Sequence, residues 1–233
     1  MGAYMGYIVI TVVFSVIGMI LSQRLRSKFA HYSQEPLRNG ASGKEVAEAM
    51  LSHFNIRDVQ VVVGEGVLTD HYNPLTKTVS LSPDVYHGRN IAAAAVAAHE
   101  CGHAVQHAQA YAWLRMRSAM VPVVQIASQA QQFLLLFALG AFGVQGGTTL
   151  LLITIAVFGI TTLFSFVTLP VEFDASRRAL AWLDSSHYAK GREYDGAKDA
   201  LHWAAMTYVS AALSALAILL FFILRYLGMS NNE

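Results

Sequence analysis

Five consecutive residues, His99-Glu100-Cys101-Gly102-His103, carry the clearest chemical signal in this chain. Side chains four apart on a helix stand one above the other, so the two imidazoles can converge on one Zn²⁺, each about 2.0 to 2.1 Å from it. Glu100, one step round the helix, is aimed beside the metal and can take the proton of a zinc-bound water, whose pKa such a metal lowers to about 7. That is the chemistry of metal-assisted hydrolysis. Two further residues nearby are weaker candidates. His107 continues the four-residue series, but three groups so spaced climb about 12 Å of helix, which places it in a supporting or surface position. Cys101 lies roughly 200° round from His99 and reads as a small buried residue.

A catalytic zinc takes a third protein ligand and keeps one position open. The candidate is Glu172, in Leu169-Pro170-Val171-Glu172-Phe173-Asp174. Pro170 suits the first turn of a new helix, where an early carboxylate is favoured by the helix dipole. Glu172 therefore has two readings, metal ligand and helix-start acid. Asp174, nearly opposite on that helix, is the competing ligand. As oxyanion stabilisers, His71, His187, Tyr188 and His202 are the candidates.

The elements that must hold these residues follow from periodicity. Ser42 with Glu45 makes a capping box, and Val46, Ala47, Met50, Leu51 and Phe54 predict an amphipathic helix ending near Asn55. Two strand-like runs follow, 59–63 and 78–81, separated by turn chemistry over 71–76. Asn90 caps an alanine-rich helix from Ile91 to about Gln109 that carries the metal motif. The small side chains from Ala92 to Ala98 allow a neighbour to pack closely.

The chain as a whole is unlike a soluble domain. Of 233 residues, 55% are apolar and 13% charged, against about a quarter charged in ordinary globular proteins, and mean hydropathy is +0.42. Four stretches have the length and apolarity of a membrane span: 4–21, 121–142, 150–169 and 206–227. The first has no leader-type cleavage site and reads as an uncleaved anchor. With Lys+Arg 16 against Asp+Glu 15, the net charge is +1, so no positive excess exists for gripping nucleic acid. One cysteine cannot close an internal disulfide, which fits a reducing compartment.

Basic residues fix orientation, because cytoplasmic flanks collect them. Ten lie between Arg24 and Arg117, five between Arg177 and Lys198, and one, Arg225, in the tail. The expectation is a multi-pass protein of the cell membrane whose active site faces the cytoplasm, with the N-terminus, the 144–149 turn and the C-terminus outside. Its parts are a transmembrane anchor (1–23), a cytoplasmic domain with the zinc helix (24–117), a transmembrane hairpin (118–169), a cytoplasmic helical segment carrying Glu172 (170–205), and a last transmembrane helix and tail (206–233). Spans two and three carry the chain out and back, so Glu172 re-enters on the zinc helix's side. Gln125, Ser128, Gln129 and Gln132 form one stripe on span two. At bilayer depth such a face should look inward, either to line a wet cleft or to hydrogen-bond between helices.

The residues His99-Glu100-Cys101-Gly102-His103-Ala104-Val105-Gln106, with Leu81-Ser82-Pro83 upstream and Leu169-Pro170-Val171-Glu172-Phe173-Asp174-Ala175-Ser176 downstream, resemble the bacterial membrane neutral zinc metallopeptidases of the YugP type. The resemblance spans almost the whole chain. It implies an integral-membrane peptidase with a cytoplasmic site, His99 and His103 as zinc ligands and Glu100 as the catalytic residue. More distantly the chain is similar to the CAAX-prenyl and heat-shock membrane zinc endopeptidases, in which a glutamate after a transmembrane hairpin completes the site. Those relatives show Glu-x-x-x-Asp. Here the last position is Ser176, leaving Asp174 and Asp184 as substitutes for the residue that supports the ligand. In zincins of this arrangement an edge strand pairs with extended substrate, a task open to Thr78–Leu81 beside the plainer one of core strand.

These readings combine into a mainly α integral-membrane protein with four transmembrane helices and a small α+β cytoplasmic zincin-like domain. The expected function is zinc-dependent endopeptidase, acting on a peptide or protein substrate, membrane proteins included. Membrane lipids are its surroundings, and homo-oligomerisation is left open. The alternative is a non-catalytic zinc-binding membrane scaffold or sensor, closed by a fourth side chain such as His107 or Asp174. A transporter is the weakest option, since no span has a charged pair at its middle.

Overall fold

In the computed structural model, residues 2–138 and 148–230 are described. The chain is mainly helical, with seven helices and three short strands among those residues: α1 (Gly2–Tyr32), α2 (Gly43–His53), β1 (Gln60–Val63), β2 (His71–Asn73), β3 (Thr78–Leu81), α3 (Pro83–His87), α4 (Ile91–Ala108), α5 (Ala112–Ala138), α6 (Thr148–Ser185) and α7 (Arg192–Ser230). It divides into two compact units. One comprises Met1–Ile20, Met116–Leu169 and Thr207–Glu233, and the other Leu21–Arg115 and Pro170–Met206.

Three helices, α1, α6 and α7, are long and apolar enough to cross a membrane, with mean hydropathies of 2.3, 2.4 and 2.3 in their spanning segments. The second expected span is α5. Its described part does not meet that standard among the described residues, and positions 139–142, the glycines Gly140, Gly143, Gly146 and Gly147, and most of the 144–149 turn lie outside them. The first unit packs Leu151 and Phe158 of α6 against Phe222 of α7, with Tyr7 of α1 at the edge of this cluster. Gly6 leaves room there for the Phe221 ring, whose nearest atom would stand 2.9 Å from an added Cβ. Thr162 adds a hydrogen bond to the Ala215 carbonyl at 3.2 Å. Gln125, Ser128, Gln129 and Gln132 of α5 are exposed, and Ala127 beside them is buried.

In the second unit, Ser42 caps α2 through a full capping box with Glu45. The α2 stripe Val46, Ala47, Met50 and Leu51 is buried and packs on α4. Removing Met50 or Leu51 from water contributes about 1.5 to 3 kcal/mol each. Asn90 caps α4 by accepting from the Ala93 N–H at 2.9 Å. The alanines from Ala92 to Ala98 are buried as their size suggested, and the Cys101 thiol reaches the Ala47 carbonyl of α2 at 3.6 Å.

The three strands form one sheet in the order β1-β3-β2, with β1 parallel and β2 antiparallel to β3. Two expectations are corrected here. His71 to Asn73 belongs to a strand, and the reversal begins only at Asn73, whose side-chain oxygen accepts from the Leu75 and Thr76 N–H groups at 2.9 and 3.3 Å. The added strand makes Thr78–Leu81 the centre of the sheet. Both its edges are paired, so no backbone row is left there for an extended substrate.

Pro170 also departs from expectation. It sits inside α6, which runs unbroken from Thr148 to Ser185, so no new helix opens there. Proline removes one N–H from the ladder. That omission is tolerated where a helix is held by its neighbours. Glu172 is therefore well inside a helix, and the helix-start reading of its charge falls away.

The second unit is closed by two contacts. Asp199 of α7 takes the Lys28 ammonium at 2.7 Å and the Tyr32 hydroxyl at 2.8 Å, both from the end of α1. Gly102 of α4 faces the main chain of Ala175 in α6. An added Cβ would stand 2.6 Å from the Ala175 carbonyl oxygen and 3.1 Å from its carbon. Backbone cannot yield as a flexible side chain can, so Gly102→Ala forces the helices apart at a cost of about 1 to 3 kcal/mol. Thermal unfolding in detergent checks this: a lowered midpoint is expected, and an unchanged one would contradict the close crossing.

Candidate metal centre

Where α4 crosses α6, three side chains meet. The Glu172 Oε2 atom lies 3.3 Å from His99 Nε2 and 3.6 Å from His103 Nε2. The potential ligand atoms of the three residues are all within 4.8 Å of one another. The four-residue spacing on α4 stacks the two rings with centroids 4.9 Å apart and planes at 84°. A tetrahedral ion at ordinary Zn–N and Zn–O distances separates its ligand atoms by about 3.3 Å, and the Glu172 oxygen stands close to that spacing from both imidazole nitrogens. His99 and His103 have 14% and 10% of their side chains exposed, and Glu172 has 4%. A charge so enclosed needs a compensating cation, which is what such an ion provides.

The far side of each imidazole is held as well. His103 Nδ1 lies 3.0 Å from Gln106 Oε1. The Gln106 amide nitrogen donates to the Val171 carbonyl at 2.8 Å and to Asp174 Oδ2 at 2.9 Å. Its oxygen is thus left to accept, which puts the proton on His103 Nδ1 and the lone pair on Nε2, toward Glu172. Asp174 is in turn clasped by Arg177 and Arg178, and Arg178 reaches Gln109, the residue that caps the end of α4, at 2.6 Å. His99 Nδ1 lies 3.1 Å from the Ser176 hydroxyl. Burial alone pushes the His103 pKa down, but the Glu172 contact and the Glu100 charge outweigh it, so His103 stands above the ordinary histidine value. A metal ion binding here competes with that proton.

The other sequence candidates fall outside this cluster. Asp174 points to the arginines and Gln106. His107 shares a hydrogen bond with the Tyr72 hydroxyl at 2.7 Å. Burial pushes the Cys101 thiol far up, so no thiolate is on offer. Glu100 belongs to the same helix turn as the ligand pair and is 8% exposed. Among the oxyanion candidates, His71 and His187 turn to nearby carbonyls at 2.8 and 3.0 Å, and Tyr188 stacks on Trp182. His202 lines a cavity together with Ser176. Asp184 is exposed.

Gln106 and Ser176 received no role from sequence, although the signal was present. Gln106 follows His103 by three residues and Ser176 follows Glu172 by four, so each shares a helix face with a ligand. Replacing Gln106 by Leu removes the acceptor for His103 Nδ1–H. Zinc affinity should drop about 10- to 100-fold, read by competition with a chromogenic chelator. Unchanged affinity in a folded variant would show that Gln106 does not orient the imidazole.

Comparison with known proteins agrees with this centre. Residues 7–227 match the family described as "Putative neutral zinc metallopeptidase". The chain is 39% identical over 210 residues to a protein of Bacillus subtilis (strain 168) named "Putative membrane protease YugP", an alignment covering 90% of this chain and 92% of that one. No solved structure matches. A family match over nearly the full length, the long apolar helices and a His/His/Glu cluster suited to zinc lead to one conclusion: this chain belongs to the neutral zinc metallopeptidases, with zinc as its cofactor.

Proposed function

We propose that the protein is a membrane-embedded zinc-dependent endopeptidase of the His-Glu-x-x-His type, with His99, His103 and Glu172 as zinc ligands and Glu100 as catalytic base. The observation that carries this reading is the convergence of two imidazole nitrogens and one carboxylate oxygen at 3.3 and 3.6 Å, contributed by helices about seventy residues apart in sequence. When bound, zinc polarises the scissile carbonyl and lowers the pKa of a coordinated water to about 7. Glu100 accepts the proton of the attacking water at its carboxylate and returns it to the leaving amine. Gln106 and Ser176 keep the imidazoles turned toward the centre.

The closed, non-catalytic alternative needs a fourth protein ligand. Its two candidates are engaged elsewhere, His107 by Tyr72 and Asp174 by Arg177 and Arg178. This supports an open coordination position and therefore hydrolysis. The substrate is a peptide or protein, as the name of the Bacillus relative suggests. The distribution of basic residues supports four spans, α5 included, with the centre on the cytoplasmic face. A cysteine introduced at exposed Lys190 should react with membrane-impermeant reagent only after the cell is opened, and a reporter at the C-terminus should be reached from outside. The reverse pattern would invert the topology.

The mechanism separates two variants. Glu100→Gln should retain one zinc per chain and lose about 10²- to 10⁴-fold in turnover. His99→Ala should lose zinc and turnover together. Metal analysis beside cleavage of membrane-fraction proteins reads both, and sustained proteolysis by the glutamine variant would contradict the assignment of the base.

A further inference from the structure

A cavity of about 370 Å³ lies between α6 and α7 in the second unit. Arg177, Lys198 and His202 line it together with Phe173, Leu180 and Leu201, and no carboxylate contributes to its wall. The acids next to these cations in sequence are already held, Asp174 by two arginines and Asp199 by Lys28 and Tyr32. Asp195, one turn before Lys198, makes no ion pair with it among the described residues. Two guanidiniums on one Asp174 leave a surplus of positive charge, to which Lys198 adds another.

The place of these residues in the sequence gives the cavity its meaning. His202 precedes the apolar stretch 206–227 by four residues, and Arg177 and Lys198 stand eight residues from the ends of 150–169 and 206–227. At 1.5 Å per residue His202 stands about 6 Å from the hydrocarbon edge, within the headgroup layer, and Arg177 and Lys198 about 12 Å from it, just beyond that layer. Long cationic side chains reach further toward it. Basic pockets between membrane helices are suited to acidic lipid headgroups.

We propose that this cavity holds one anionic phospholipid, its phosphate between Arg177, Lys198 and His202 and the start of an acyl chain against Phe173, Leu180 and Leu201. The proposal rests on the reading that α6 and α7 cross the membrane. Ser176 both lines the cavity and hydrogen-bonds His99 Nδ1 at 3.1 Å, so the bound lipid touches the wall that orients a zinc ligand.

The test titrates the full-length, delipidated protein in detergent with phosphatidylglycerol and, separately, phosphatidylcholine, counting bound lipid by native mass spectrometry. One phosphatidylglycerol should bind at least tenfold more tightly than phosphatidylcholine. Lys198→Gln should weaken it about fivefold, the effect of one interfacial cation, with zinc content unchanged as evidence of an intact fold. Equal binding of the two lipids, an unaltered affinity in the variant, or displacement of the lipid by a soluble acidic peptide would overturn the proposal. Recovery of the protein in the soluble fraction without detergent would instead refute the membrane reading, and that result is visible before any lipid is added.

Discussion

Gly102 leaves space for the main chain of Ala175, and this close approach sets the distance between the two segments that carry the candidate ligands. Any side chain at position 102 pushes α6 outward and takes Glu172 with it. The requirement explains why a glycine, a poor helix former, sits in the middle of the zinc helix between Cys101 and His103. The buried alanines earlier in α4 let α2 pack as closely on another side. The metal motif is thus held in a helix designed for close contact, with its polar face turned toward α6.

Around that crossing the polar groups form a connected set. From Arg178 the contacts run through Asp174 and Gln106 to His103, and from Ser176 to His99. Gln106 with Asp174, and His99 with Ser176, hydrogen-bond α4 to α6, and the Gln106 oxygen also selects the His103 tautomer. Supporting groups of this kind affect metal affinity as strongly as many direct changes do. Ser176 occupies the position where the more distant membrane endopeptidases carry an aspartate. A hydroxyl can face His99 Nδ1 without adding a further negative charge beside Glu172.

Much of this was legible in the sequence because the signals were local. The Ser42 capping box, the Asn90 cap, the β1 and β3 runs and the zinc helix all depend on residues within a few positions of one another. The pairing of Glu172 with His99 and His103 was legible through the expected reversal of the chain across two spans. The failures share a different cause. The three-residue strand at His71–Asn73 exists only because β3 lies beside it, and its appearance removed the proposed substrate edge. Pro170 looked like a helix start, but tertiary packing carried the helix through it.

The central claim is a mononuclear zinc bound by two imidazoles and a carboxylate, with solvent completing the shell. X-ray absorption at the zinc edge on the purified, zinc-loaded protein addresses it directly. The account predicts four nitrogen and oxygen neighbours at about 2.0 to 2.2 Å, two of them with the outer-shell scattering of imidazole. A sulfur neighbour at about 2.3 Å, or three imidazoles, would contradict it.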